Sequence, residues 1–168
     1  QLTTYTYDSH NNLQSVTDAQ GNSTAYLYDA NNDLVRITDS LGYTSTYTYN
    51  SAGDVTLAQD PLSRTSIYTY TTMGYLSETV NALGYTTTYQ YDDWGRVLTQ
   101  TDELGQVTLF DYDAAGNVLS VTQNYTLGNV QNLSDTYNLI TFYRYDAAGR
   151  QEAVTDTLGM VTTYTYDP

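Results

Sequence analysis

Aromatic residues recur along the chain in two interlocked series, two positions apart. One series runs Tyr5, Tyr26, Tyr47, Tyr68, Tyr89, Phe110, Tyr143 and Tyr164; the other runs Tyr7, Tyr28, Tyr49, Tyr70, Tyr91, Tyr112, Tyr145 and Tyr166. Every step is 21 residues except one of 33, and a fixed period of this size marks a repeat architecture. Side chains two apart share one face of a strand. Each aromatic pair, with Thr24, Ser45, Ser66, Thr87, Thr108, Thr141 or Thr162 before it, therefore predicts a strand with one Thr-Tyr-Tyr face. Leu13, Leu34, Val55, Leu76, Val97 and Val118 open a second short strand in each unit, a series that Gln151 breaks. β-branched and aromatic residues dominate, and no 3.6-residue period is sustained.

Turn signals separate the strands. Residues 97–116 show the grammar: Val97 to Thr101 as a strand, Asp102-Glu103-Leu104-Gly105 as a turn, Thr108 to Tyr112 as the return strand, then Asp113-Ala114-Ala115-Gly116. Asp at the first position and Gly at the fourth suit a type I turn followed by a left-handed bulge residue. The first turn of each unit ends in Asn11, Asn32, Gly53, Gly74, Gly95, Gly116 or Gly149. The second carries Gly21, Gly42, Gly84, Gly105 or Gly159, with Ser63 as the exception. Asn and Gly tolerate positive φ best, so one backbone geometry accounts for both. Leu41, Leu62, Leu83, Leu104 and Leu158 lie inside the second turns and are expected to tuck back beneath them.

The chain is therefore all-β, built of tandem β-hairpin repeats in an antiparallel sheet. About fifteen strands at roughly 4.8 Å each would span about 70 Å, too wide to stay flat, so the expectation is a spiralling ribbon. A β-solenoid, with each 21-residue coil stacked in parallel on the last, is the alternative. Residues 1–168 read as a single array of about seven and a half units. The long step places a 12-residue insertion within 123–140, where a second turn would be, and a long hairpin or protruding loop is expected there. The array starts in mid-strand at Gln1 and ends just after a new Tyr-Asp, as expected of a piece of a longer repeat protein.

Composition narrows the partners. Nineteen acids against five arginines and no lysine give a formal charge of −14, which disfavours nucleic acid and anionic membrane surfaces. No run of 18 apolar residues is present, so no membrane-inserting helix is expected. Without cysteine there is no disulfide framework, thiolate metal site or thiol nucleophile.

Catalytic chemistry finds no foothold. His10, the only histidine, lies in a turn. Paired acids such as Asp92-Asp93 and Asp111/Asp113 sit where Asp caps its own turn, so an enzyme is not expected. No cofactor is expected either. A row of turn carboxylates at Asp8, Asp29, Asp92, Asp113 and Asp146 is the one candidate for calcium. Asn22, Asn124 and Asn132 lie in Asn-x-Ser/Thr sequons and are candidate glycosylation sites. Tyrosine rows could stack on sugar rings, and Trp94 is the best single candidate for an exposed contact. Because the aromatics recur in every unit, a structural layer accounts for them more simply.

The units Tyr91-Asp92-Asp93-Trp94-Gly95-Arg96-Val97 with Thr101-Asp102 and Gly105, and Tyr145-Asp146-Ala147-Ala148-Gly149-Arg150 with Thr155-Asp156 and Gly159, resemble the YD-repeat, or Rhs-repeat, family. The match extends over nearly the whole chain. It departs at the arginine after the first turn, which Asn12, Asp33, Asp54, Tyr75 and Asn117 replace elsewhere. The resemblance implies secreted or cell-surface proteins whose hairpin repeats spiral into a hollow shell, enclosing a toxic cargo in bacterial toxin complexes or forming part of an adhesion receptor in animal teneurins. The self-cleaving core of the toxin proteins has no counterpart in these residues. The expected function is a non-enzymatic extracellular scaffold, a wall segment of a shell or a cell-surface filament. Its partners would be further repeats or copies of the same protein, an enclosed cargo or glycans. A carbohydrate-binding adhesin module is the alternative.

Overall fold

In the computed structural model, residues 2–125 and 138–167 are described. Most of the insertion, and Asn132 with it, lies outside them. Among the described residues there are fifteen strands, and every registered pair is antiparallel. The hairpin reading therefore holds, and the parallel solenoid does not.

The chain divides into two compact units, residues 1–85 and 86–168. The first holds β1 (Thr4–Tyr7), β2 (Leu13–Thr17), β3 (Ser23–Tyr28), β4 (Leu34–Thr38), β5 (Thr44–Tyr49), β6 (Val55–Gln59), β7 (Thr65–Tyr70) and β8 (Leu76–Val80). The second holds β9 (Thr86–Tyr91), β10 (Val97–Thr101), β11 (Val107–Tyr112), β12 (Val118–Gln123), β13 (Leu139–Tyr145), β14 (Gln151–Thr155) and β15 (Val161–Thr163). Within each unit, strands pair in chain order as a meander. The insertion does not break this pattern, because Gln123 of β12 is registered with Leu139 of β13.

Two rows of turns result, one at each end of the strands. Both have one backbone design. In the turn Asp92–Arg96 the Gly95 N–H donates to the Asp92 carbonyl (3.0 Å) and the Asp92 N–H to the Arg96 carbonyl (2.9 Å). In the turn Asp39–Tyr43 the same two bonds measure 3.1 and 2.9 Å. Closing the turn this way puts its fourth residue at positive φ, 88° at Gly53 and 61° at Ser63. The first row of turns also carries a bulge: the register slips between Thr48 and Tyr49 in β5–β6, and at the matching place in the other hairpins of that row.

Cross-strand pairs extend the aromatic stripes. Tyr26 pairs with Ile37, Phe110 with Val121 and Tyr143 with Val154; Tyr28 pairs with Leu34 and Tyr112 with Val118. The tyrosine layer is half-buried rather than buried. Among the described residues only Ala153 and Asn138 fall below one-tenth exposed. A sheet face becomes a dry core only when a second layer packs on it.

The second-turn leucines depart from expectation. Leu41, Leu62, Leu83, Leu104 and Leu158 do not tuck under their turns; they are 66–79% exposed. The third turn residue follows the tight backbone past the strand ends, where there is no layer for it to reach.

Candidate functional site

The residues that name the repeat converge on the first row of turns. Tyr7, Tyr28, Tyr49, Tyr70, Tyr91, Tyr112 and Tyr145 close the odd strands from β1 to β13, and Tyr166 follows β15. Their hydroxyls have a specific task. Between β4 and β5 the registered ladder ends at Arg36 and Thr46, leaving the Leu34 carbonyl beyond it. The Tyr49 hydroxyl donates to that carbonyl at 2.7 Å. Tyr70 does the same to Val55 (2.8 Å), Tyr112 to Val97 (2.8 Å), Tyr145 to Val118 (3.0 Å) and Tyr166 to Gln151 (2.7 Å). Each bond ties one first-turn hairpin to the next at the point where the bulge has opened the ladder.

This latch explains two features of the sequence. The series ending the odd strands is Tyr in all eight units, whereas the other admits Phe110; the latch hydroxyls, at Tyr49, Tyr70, Tyr112, Tyr145 and Tyr166, all belong to the first series. Gln151 is tolerated in place of Leu or Val because the acceptor is a backbone carbonyl. Burial raises the pKa of Tyr49, Tyr70, Tyr91, Tyr112 and Tyr145 above the ordinary phenol value.

The turn aspartate is saturated from inside. In Asp92, Oδ1 accepts the Trp94 and Arg96 N–H groups, both at 2.9 Å, and Oδ2 accepts Arg96 Nε at 2.6 Å. Asn12 and Asn117 take the role of that arginine, donating Nδ2 to Asp8 and Asp113 at 3.2 and 2.9 Å. Asn12 and Asn117 thus preserve the side-chain bond to the aspartate, whereas at Asp33 the printed bond to Asp29 comes from the backbone N–H, at 3.0 Å. At Asn50 the pair is exchanged, with Asn50 donating to Asp54 at 3.0 Å. Turn donors hold Asp8, Asp18, Asp60, Asp92, Asp113 and Asp146 below the ordinary carboxylate value. Backbone N–H groups lead at Asp8 and Asp146, and the side chains of Asn22, Arg64 and Asn117 lead at Asp18, Asp60 and Asp113. At Asp92 burial pulls upward, and the bonds from Arg96 and Trp94 outweigh it.

Arginine adds a second bridge. Arg96 Nη1 donates to the Asp113 carbonyl of the next first turn at 3.1 Å, and its guanidinium lies 4.6 Å from the Tyr112 ring centroid and 4.9 Å from that of Trp94. Arg150 repeats the arrangement with the Asp167 carbonyl (3.3 Å) and the Tyr166 ring (4.7 Å). Tyr, Asp, Gly and Arg of the repeat are accordingly one unit: hydroxyl latch, turn acceptor, positive-φ residue and inter-turn bridge. The sequence pattern marked these residues but not the bonds between units, which join positions 15 to 17 apart, or 27 across the insertion.

The other candidates lie apart from this edge or have no chemical companions. His10 is exposed, with its ring 3.4 Å from the Ser9 hydroxyl. No group of three or more His, Asp or Glu side chains placed to hold a metal ion is found among the described residues, and the aspartates proposed for calcium direct their oxygens to their own turns. Asn22 is exposed in a second turn, with its amide on Asp18 at 2.8 Å; Asn124 is half-buried at the foot of the insertion with φ 52°. Trp94 is 79% exposed and, with Arg96, Tyr112 and Ala115, lines a groove of about 520 Å³ beside the next first turn.

With this edge defined, known proteins give the family. The RHS Repeat family model matches residues 1–23, 7–36, 28–65, 91–130 and 143–168, most of the chain. The protein belongs to the RHS-repeat family. Its fold is similar to a chain in the Tc holotoxin pore of Photorhabdus luminescens, at TM-score 0.71 and 19% identity over 96% of this protein and 9% of that chain. It is also similar to the crystal structure of TcdB2–TccC3, at TM-score 0.58 and 17% identity over 98% and 11%. The protein thus spans about a tenth of those chains. No curated protein matches it. At these identities the likeness is one of fold: an antiparallel RHS-repeat sheet.

Proposed function

We propose that this RHS-repeat protein is a non-catalytic scaffold, a segment of the wall of a secreted or cell-surface assembly. The observation that carries this reading is the repeated edge. The same latch and saturated turn recur from unit to unit, and they spend the polar groups on joining neighbours. Hydroxyls, carboxylates and guanidinia engaged in this way are not free to act on a substrate. The likeness to chains of a toxin complex supports a wall that encloses a cargo, built with further repeats of the same kind. Electron microscopy of the protein purified from its source tests this. Closed hollow particles support encapsulation and long fibres support a surface filament, whereas compact monomers would overturn both.

A second reading, a glycan-binding module, rests on Trp94 and its groove. Exposed aromatic faces stack on sugar rings. Saturable binding on a glycan array, lost in Trp94→Ala, would establish it; silence across the array would remove it.

A further inference from the structure

The second row of turns contains a pattern that neither the turn nor the sheet requires. In the first unit its third positions are Gln20 and then Leu41, Leu62 and Leu83, these three 79%, 70% and 78% exposed, joined by Tyr43 and Tyr85 at 54% and 49%. The first row supplies an internal control. Its turns close with the same backbone bonds, yet the same position there holds His10, Asn31, Ala52 and Met73. The backbone therefore does not ask for leucine. Neither does packing, since these side chains reach no layer of the sheet. Three leucines in register on an otherwise polar rim form the kind of contiguous apolar strip that marks an interaction site.

Charge selects the occupant. The strip is flanked by Asp39 and by Asp60, the latter paired with Arg64 of its own turn, the first row offers Asp29, Asp33 and Asp54, and the chain carries −14 with no lysine. A second copy would bring acid against acid from either edge. The strip exposes a few hundred Å² at most, short of the roughly 800 Å² per partner of a stable globular interface. A single helix needs less. Leucines two strands apart repeat at roughly 9.6 Å, close to the ~10.5 Å rise of seven helical residues. Because the sheet twists, one helix would engage adjacent leucines rather than a long row.

We propose that the Leu41–Leu62–Leu83 rim docks a cationic amphipathic helix, apolar at every seventh residue and flanked by lysine or arginine. Leucine contacts give the register and the rim aspartates favour the basic flanks.

Fluorescence anisotropy tests this with the whole chain and a labelled 21-residue lysine-rich helix carrying its leucines at seven-residue spacing. A second peptide of the same composition has its leucines scattered around the helix. The striped peptide is expected to bind at least ten-fold more tightly than the scattered one. The triple variant Leu41→Ser, Leu62→Ser, Leu83→Ser should erase that difference, and Leu62→Ser alone should reduce it. The opposite-rim variant Ala52→Ser, Met73→Ser should stay within two-fold of the native protein. Circular dichroism melts that coincide with the native curve would confirm that the leucine variants remain folded. Equal binding of the two peptides, or an equal loss in the opposite-rim variant, overturns the proposal. So does self-association in sedimentation that the triple variant abolishes, since the occupant would then be a second copy.

Discussion

Both rows of turns close with the same pair of backbone bonds, but they differ in how far their side chains reach. In the first row, Tyr49 and Tyr70 reach back 15 residues to carbonyls of the preceding hairpin, and Arg96 and Arg150 reach forward 17 residues. In the second row, within the first unit, Asp18, Asp39, Asp60 and Asn81 bond only inside their own turns. The 12 extra residues fall in the second row, and the latch of the enlarged repeat persists at 3.0 Å from Tyr145 to Val118. The first rim therefore ties successive repeats at many turns, while the second does so at Thr157, whose hydroxyl donates to the Ile140 carbonyl at 2.9 Å, and accommodates the insertion.

Extremes of pH should separate the rims with the largest effect. Asp8, Asp92, Asp113 and Asp146 in the first row, and Asp18 and Asp60 in the second, have folded pKa values below the unfolded one. Their stabilisation is present above about pH 4 and is lost as pH falls through the folded values. Both rims should thus fail in acid. Among the latch tyrosines, Tyr49, Tyr70, Tyr112 and Tyr145 have raised pKa values, so their contribution is full below about pH 10 and is lost as pH rises through the folded values. Only the first rim carries the latch. Melting temperature against pH should show a plateau between the two limits. Above it, the first-row amides should lose protection from hydrogen exchange before the second-row amides do. Simultaneous loss at both rims would count against the division.

Backbone substitutions should instead affect the rims alike, because the turn design is shared. At Gly53 an added Cβ would meet nothing within 4 Å, so Gly53→Ala costs only the left-handed conformation, about 1–2 kcal/mol. The converse change, Ser63→Gly at φ 61°, should stabilise by about 1 kcal/mol. Urea unfolding of the two variants would show whether one geometry governs both rows.

Removing one hydroxyl asks about the latch itself. Tyr112→Phe leaves an aromatic face for Arg96 but strands the Val97 carbonyl. It should cost about 1 kcal/mol, near the low end for a lost bond because water can reach this rim. Phe110→Tyr, in the series without a latch, should lie within about 0.5 kcal/mol of neutral. Equal effects would mean that the hydroxyl is not the reason for the invariant tyrosine.

How far the sequence could be read follows from the same geometry. Strands, turns and positive-φ sites are local, so spacing alone located them; Asn11 and Gly95 signal the same backbone need by composition. The latch joins residues 15 apart through a backbone acceptor, which leaves no mark in side-chain pattern at Val97 or Gln151. The aspartates were readable as turn caps, but their saturation by Asn12 or Arg96 required the fold. The leucines misled because an apolar residue in a turn was expected to find cover, whereas the strands end before any second layer begins.

The smallest effect expected is at those leucines. Leu41→Ser removes a side chain that is 79% exposed, so little apolar area returns to water and no cavity forms. Its stability should change by no more than about 0.5 kcal/mol, as at other surface sites. Tyr70→Phe, one row away, breaks the hydroxyl bond to the Val55 carbonyl while removing a single oxygen. If urea midpoints show the leucine to be as costly as the tyrosine, the second rim is part of the sheet's own packing. If the leucine is silent, selection for folding does not explain why this position repeats as Leu41, Leu62 and Leu83, and the reason must lie in what the rim touches.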